Sequence, residues 1–252
     1  MKLTIAGCAG SFPSPDSVCS AYLVEAEGFR LLLEFGTGAV AALQRHCVLH
    51  DIDAVVLSHL HSDHCSDAAT YQVVRQHDPR GAFPVLPLYG PTGTRRRLAA
   101  MSNGAIDGDG AADVTEVFDV RSLAETDSIG PFTVRTARMN HPVETLGVRL
   151  EHEGRVLAYS ADTGPTRALI DLAADADVLL CEASYDAEVD HPADVHLTGT
   201  QAGEHATAAR ARLLLLTHLV PEWVDITRVV AQARAAYNGP LHVAAAGEVY
   251  TV

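Results

Sequence analysis

The chain has 252 residues, 48% of them apolar, and a formal net charge of −14. That length and apolar content suit one large buried core and exclude a disordered chain. The acidic balance disfavours a long nucleic acid as partner, because such proteins neutralise phosphates with clustered Lys and Arg, and no apolar run reaches the roughly eighteen residues of a membrane span.

The N-terminal stretch Met1-Lys2-Leu3-Thr4-Ile5-Ala6-Gly7 suits a first strand over 3–7 better than a signal peptide. Further strands are expected over 21–25, 30–34 and 54–57, with helices after Gly38 and around 66–76. Residues 84–89 read as a strand and 92–101 as a helix, on which Arg95-Arg96-Arg97 forms a solvated face. Asn103-Gly104 through Gly108-Asp109-Gly110 reads as an exposed loop. Strands return over 132–139, 145–151 and 155–160, followed by a helix that Pro165 suits at its first turn. Buried strands over 178–181 and 213–216 flank Thr198-Gly199-Thr200-Gln201, which matches a capping box and opens a helix. Strand and helix signals alternate without a linker, so one α/β domain over residues 1–252 is expected.

Five cysteines, Cys8, Cys19, Cys47, Cys65 and Cys181, are scattered and never form a Cys-x-x-Cys pair. This argues against a disulfide framework or a structural zinc knuckle and fits a reducing cytoplasm.

The sharpest chemical signal is His59-Leu60-His61-Ser62-Asp63-His64, directly after an apolar strand. Alternate residues His59, His61 and Asp63 can point one way from an extended loop, while His64 turns into the next helix toward a second centre. Neutral imidazole and carboxylate suit zinc and similar borderline cations. Three further donors sit where a strand meets a turn: His141, Asp162 and His218. Val55-Val56-Leu57-Ser58-His59-Leu60 is also echoed by Leu214-Leu215-Leu216-Thr217-His218-Leu219, each a buried strand delivering a hydroxyl residue and then a histidine. Two such halves packed sheet to sheet place both histidines over one seam, at the carboxyl ends where α/β proteins assemble sites.

The His-x-His-x-Asp-His motif, the later histidine, the aspartate and the final histidine, in this order, resemble the metallo-β-lactamase fold superfamily. The resemblance implies a four-layer αββα sandwich, two mixed sheets with helices on both outer faces. It also implies two divalent metal ions, zinc first, with manganese and iron as alternatives. His59, His61 and His141 would hold one metal, Asp63, His64 and His218 the other, and Asp162 would bridge them. Tyr159-Ser160-Ala161-Asp162-Thr163, Cys181-Glu182-Ala183-Ser184 and His196-Leu197-Thr198 are similar to the ribonuclease Z side of the superfamily. Glu34 stands where aspartate is usual and Ala161 where glycine is usual, and neither departure removes a ligand.

Ribonuclease Z enzymes usually carry a long arm for gripping tRNA between the third histidine and the bridging aspartate, and the short interval from His141 to Asp162 has no room for it. The closer resemblance, through His141-Pro142-Val143-Glu144, Leu180-Cys181-Glu182-Ala183-Ser184 and His196-Leu197-Thr198-Gly199-Thr200-Gln201-Ala202-Gly203, is to actinobacterial cyclic-nucleotide phosphodiesterases of this fold. It implies hydrolysis of a small phosphodiester, a 3′,5′-cyclic nucleotide, to the nucleoside 5′-monophosphate by a hydroxide shared between the metals. Asp63 is then both ligand and catalytic group. His196, ahead of a capped helix whose N–H groups favour phosphate, protonates the leaving oxygen, with Glu182 orienting it. The alternatives are a ribonuclease Z-like tRNA 3′-processing nuclease, a metal-dependent lactone or thioester hydrolase, and a binding protein with a dead site. A homodimer is compatible with all of these.

Overall fold

Apolar residues alternate along the strands with a period of two, which sorts their side chains onto two faces and forces each sheet to be covered on both. In the computed structural model, which describes residues 1–81, 83–102 and 114–252, this requirement is met by four layers. The loop expected from Asn103 onward lies outside the described residues.

The first sheet contains β1 (Lys2–Gly7), β2 (Ala21–Ala26), β3 (Phe29–Leu33), β4 (Ala54–Val56), β5 (Leu86–Gly90) and β6 (Phe118–Ser122). The second contains β7 (Thr126–Ile129), β8 (Phe132–Arg138), β9 (Leu146–His152), β10 (Arg155–Tyr159), β11 (Val178–Glu182), β12 (Leu214–Thr217) and β13 (Leu241–Val243), and β14 (Val249–Thr251) returns to the first. Strand orders are β14-β1-β2-β3-β4-β5-β6 and β13-β12-β11-β10-β9-β8-β7. Each sheet is mixed: pairing is antiparallel from β14 to β3 and parallel from β3 to β6, and likewise parallel from β13 to β10 and antiparallel from β10 to β7.

Between the sheets, Tyr22 and Val24 of β2 meet Val178 and Leu180 of β11, Leu215 of β12 and the inward residues of β8 to β10 in one apolar cluster. The alternate residues face outward. Ala21 and Leu23 pack under α1 (Ala39–Leu43), α3 (Asp67–Gln76) and α4 (Thr94–Ser102), with a single turn, α2 (Ser62–Cys65), between the first two. Leu179, Cys181, Leu214 and Leu216 pack under α5 (Arg167–Leu172), α6 (Gly199–Ala209) and α7 (Ile226–Ala236). The expected αββα sandwich is the observed fold. Among the described residues no helix is long and apolar enough to cross a membrane, and the five cysteines are free.

Two local expectations need correction. Pro165 does not begin α5: the helix opens at Arg167, and Thr166 is its cap, accepting a hydrogen bond from the Ala168 N–H. A side-chain oxygen at that position satisfies an end N–H that proline only omits. Asp63 does not alternate with His59 and His61, because the chain turns helical at Ser62, and from there residues follow a period near 3.6. Asp63 instead shares a donor group with His64, Asp162 and His218.

Candidate metal centre and active site

In the second sheet β8, β10, β11 and β12 run in one direction, so His141, Asp162, Glu182 and His218 all emerge at one edge. β4 of the first sheet ends beside them and delivers His59, and α2 delivers Asp63 and His64. The expected seam exists.

All seven predicted donors meet there in two groups. His59, His61, His141 and Asp162 offer atoms within 4.8 Å of one another, as do Asp63, His64, Asp162 and His218. Asp162 is common to both. Its Oδ1 lies 3.2 Å from His64 Nε2 and 3.4 Å from His218 Nε2, and its Oδ2 lies 3.7 Å from His59 Nε2. Asp63 Oδ2 accepts a hydrogen bond from the Ser11 N–H at 2.9 Å and lies 3.1 Å from His218 Nε2.

The outer nitrogens of three imidazoles are hydrogen-bonded to the surrounding protein, and that of a fourth, His64, faces a carboxylate, which orients the rings and turns the inner nitrogen toward the centre. His141 Nδ1 donates to the Val195 carbonyl at 2.9 Å. His59 Nδ1 is 3.0 Å from Ser58 Oγ, and His218 Nδ1 is 2.9 Å from Ser184 Oγ. His64 Nδ1 is 3.4 Å from Glu34 Oε1, on a carboxylate that is fully buried. Inner nitrogens then crowd one another: His59 Nε2 and His61 Nδ1 are 3.1 Å apart, as are His64 Nε2 and His218 Nε2.

Burial opposes a charge on His64, but Asp162 and Asp63 outweigh it and hold its pKa well above the ordinary imidazole value. Burial would raise Asp162, yet His218, His64 and His59 hold it well below the carboxylate range. Burial, followed by repulsion from His64, drives His59 far down, and burial foremost keeps His61 and His141 low. Asp162 Oδ1 is buried without a hydrogen-bond partner. Neutral nitrogens and an orphaned carboxylate oxygen, all aimed at common points, are the donor chemistry of a borderline divalent cation.

His196 stands across both groups, its ring centroid 5.5 Å from those of His141 and His218. Its Nδ1 donates to Glu182 Oε1 at 2.9 Å. Burial works against its charged form, but the adjoining Glu182 carboxylate prevails and pushes its pKa up to about 9. Glu182 is wholly buried and also accepts from the Thr163 N–H at 2.6 Å, the Ser184 hydroxyl at 2.9 Å and the Leu197 N–H at 3.3 Å. The capping box of α6 forms as expected, and it uses the Gln201 and Thr198 N–H groups internally. The helix end therefore reserves neither for an anion, and His196 is the group that faces the centre.

Sequence reasoning missed the outer partners. Glu34 registered only as a departure from aspartate, yet its carboxylate lies 3.4 Å from His64 Nδ1 and accepts the Ser58 N–H at 3.1 Å. Ser58 was visible as the hydroxyl residue before His59. Ser184 and the Val195 carbonyl carried no signal of such a role.

A site of this donor set on this sandwich defines a metal-dependent hydrolase of the metallo-β-lactamase fold. The profile described as Beta-lactamase superfamily domain matches residues 30–219, and the chain belongs to that family. It is 40% identical over 259 residues to the uncharacterized protein Rv1339 of Mycobacterium tuberculosis, covering 100% of this chain and 92% of that one. It is 29% identical over 265 residues to the probable metallo-hydrolase YhfI of Bacillus subtilis, covering 99% of each. The crystal structure of YhfI superposes with a TM-score of 0.86 at 26% identity, over 99% of this chain and 98% of that one. Ribonuclease Z of Mycolicibacterium gilvum is 31% identical over 245 residues, covering 88% of this chain and 85% of that protein.

Proposed function

We propose that the chain is a dinuclear phosphodiesterase that hydrolyses a 3′,5′-cyclic nucleotide to the nucleoside 5′-monophosphate. The observation that carries this reading is the His196–Glu182 pair, a proton donor held 2.9 Å from a buried carboxylate and set across the two donor groups. His59, His61 and His141 would hold one cation and Asp63, His64 and His218 the other, with Asp162 common to the two groups and zinc the first choice for this donor set. Such a pair of cations lowers the pKa of coordinated water toward 7 and neutralises phosphoryl oxygens.

The chain's own residues supply the proton economy. Water oxygen attacks phosphorus and its proton passes to the Asp63 carboxylate. The bond from phosphorus to the ribose 3′ oxygen breaks, and His196 gives that oxygen its Nε2 proton while Nδ1 stays bonded to Glu182. Alkoxide departure needs this donor more than departure of an acidic phenol does.

Two features favour a small substrate over tRNA. The interval from His141 to Asp162 is occupied by the β9–β10 hairpin, Leu146–His152 and Arg155–Tyr159, with no arm. The chain carries a charge of −14, against the polyanion that a nuclease must hold.

The test is metal analysis of the purified protein together with chromatography of products from cyclic nucleotides and a precursor tRNA. About two divalent ions per chain and a 5′-monophosphate product are expected. A metal-loaded protein that leaves cyclic nucleotides intact but trims the tRNA, or one that releases 3′-monophosphate, overturns the reading.

A further inference from the structure

Eight large apolar side chains are prominently exposed among the described residues, and four of them, Phe12, Val143, Val189 and Trp223, stand on loops that also carry donors or their partners. Phe12 follows Ser11, which binds Asp63. Val143 follows His141, Val189 lies between Glu182 and His196, and Trp223 follows His218. Burying such groups is the default, so this concentration at one rim calls for an apolar ligand.

Beside His196 the rim closes into a cleft of about 190 Å³ lined by Tyr185, Val189, His191, Pro192 and Trp223. That is smaller than the roughly 300–1,000 Å³ of pockets that enclose whole ligands, and it suits one ring system. Tyr185 forms its inner wall. Its ring stands edge-on to His196 at 5.1 Å and stacks on His191 at 4.7 Å with an angle of 23° between planes. Trp223 is half exposed and is braced by Phe12 at 5.8 Å. Two carboxylates complete the lining: Asp186 is bonded to Arg228 at 2.5 Å and Gln232 at 2.7 Å, and Asp190 is exposed to solvent.

We propose that this cleft is the base subsite, in which the heterocycle of the nucleotide stacks against Trp223 and the Tyr185–His191 pair while its phosphate lies at the metal centre. This inference rests on the phosphodiesterase reading. Aromatic faces bind any base with little regard to its hydrogen-bonding edge, so the subsite supplies affinity and selects nucleotides over base-less phosphodiesters.

Trp223 is the chain's single tryptophan, so its emission reports the subsite directly. The metal-loaded protein is titrated with adenosine 5′-monophosphate, and with ribose 5-phosphate as the base-less control. Cyclic AMP hydrolysis is followed for the wild type, Trp223→Ala and Trp223→Phe. Saturable change in emission with the nucleotide alone is expected. The alanine variant should raise KM roughly tenfold with kcat nearly unchanged, and phenylalanine should restore most of it. If the wild type hydrolyses cyclic AMP while emission ignores the nucleotide and Trp223→Ala keeps its KM, the subsite is overturned and the phosphodiesterase reading stands. If the metal-loaded wild type neither hydrolyses cyclic AMP nor binds the monophosphate, both fall together.

Discussion

Replacing Glu182 by glutamine removes one negative charge and keeps the shape of the side chain. Two effects follow, and pH separates them. In the metal-stripped protein the Glu182 carboxylate lifts His196 from the ordinary 6.5 to about 9. At about 1.4 kcal/mol per pH unit, that rise is worth about 3 kcal/mol of folding stability. Because the folded value is raised, the contribution is complete below pH 6.5, fades as pH climbs through about 9, and is gone above it. The second effect does not depend on pH. Glu182 accepts from the Thr163 N–H, the Leu197 N–H, the Ser184 hydroxyl and His196. A glutamine amide must turn its NH2 toward some of these donors, leaving buried groups unpaired at about 1–3 kcal/mol.

Urea denaturation of metal-stripped wild type and Glu182→Gln therefore gives a stability gap that is about 3 kcal/mol wider near pH 6 than near pH 10. Titration of His196 by proton NMR in the same samples should fall well below about 9 on substitution, because burial then opposes the charged form without the Glu182 carboxylate to offset it. An equal gap at both pH values, or a wild-type His196 that already titrates near 6.5, refutes the claim that Glu182 charges this imidazole. With metal restored, the variant should lose far more activity on a cyclic nucleotide than on a nitrophenyl phosphodiester, whose leaving group departs without a proton.

Three other substitutions probe the centre. Asp162→Asn removes the charge common to both donor groups; metal analysis should show the loss of at least one ion, and turnover should fall more than roughly a hundredfold. Glu34→Gln loosens His64 without touching a donor, so chelator competition should register metal affinity lower by roughly 10- to 100-fold with an unchanged circular dichroism spectrum. Gly10→Ala would place a Cβ 2.5 Å from the His218 carbonyl oxygen and 2.8 Å from its Nδ1. Displacing that loop should cost about 1–3 kcal/mol in denaturation and weaken metal binding together; an alanine variant with both properties intact would show that the approach of Gly10 to His218 is not needed.

The sequence made the layered fold legible because each buried strand is a short apolar run bounded by turn residues, as in 54–57 and 213–216, both of which hold strands. The elements it hid are of another kind. β6 carries Asp119 and Arg121, β7 reads Thr126-Asp127-Ser128-Ile129, and β13 and β14 have three residues each. All four of these strands are sheet edges, where one-sided exposure erases the apolar run. α7 was readable in principle, since Asp225 caps it and Val229 and Ala233 lie four apart on its buried face.

The donors were legible for a physical reason as well: His59, His141, Asp162 and His218 follow the ends of strands, where the chain must turn and the side chain is free to leave the core, and His61, Asp63 and His64 continue from His59 into α2. How their outer nitrogens are held was not, because that depends on φ and on which face a neighbouring side chain takes. Glu34, Ala161 and His218 all have positive φ, at 68°, 56° for His218 and 52° for Ala161. None is glycine, so nothing in their identity announces a left-handed turn. The echo between the two histidine strands shows the same limit. Ser58 lies against the ring of the histidine after it, as the repeat suggests. Thr217 instead bonds Tyr22 across the core at 2.7 Å, and His218 takes its partner, Ser184, from a different strand end. Matching sequence at two strand ends thus fixed where the histidines emerge, whereas the left-handed turn at His218 decided which hydroxyl orients it.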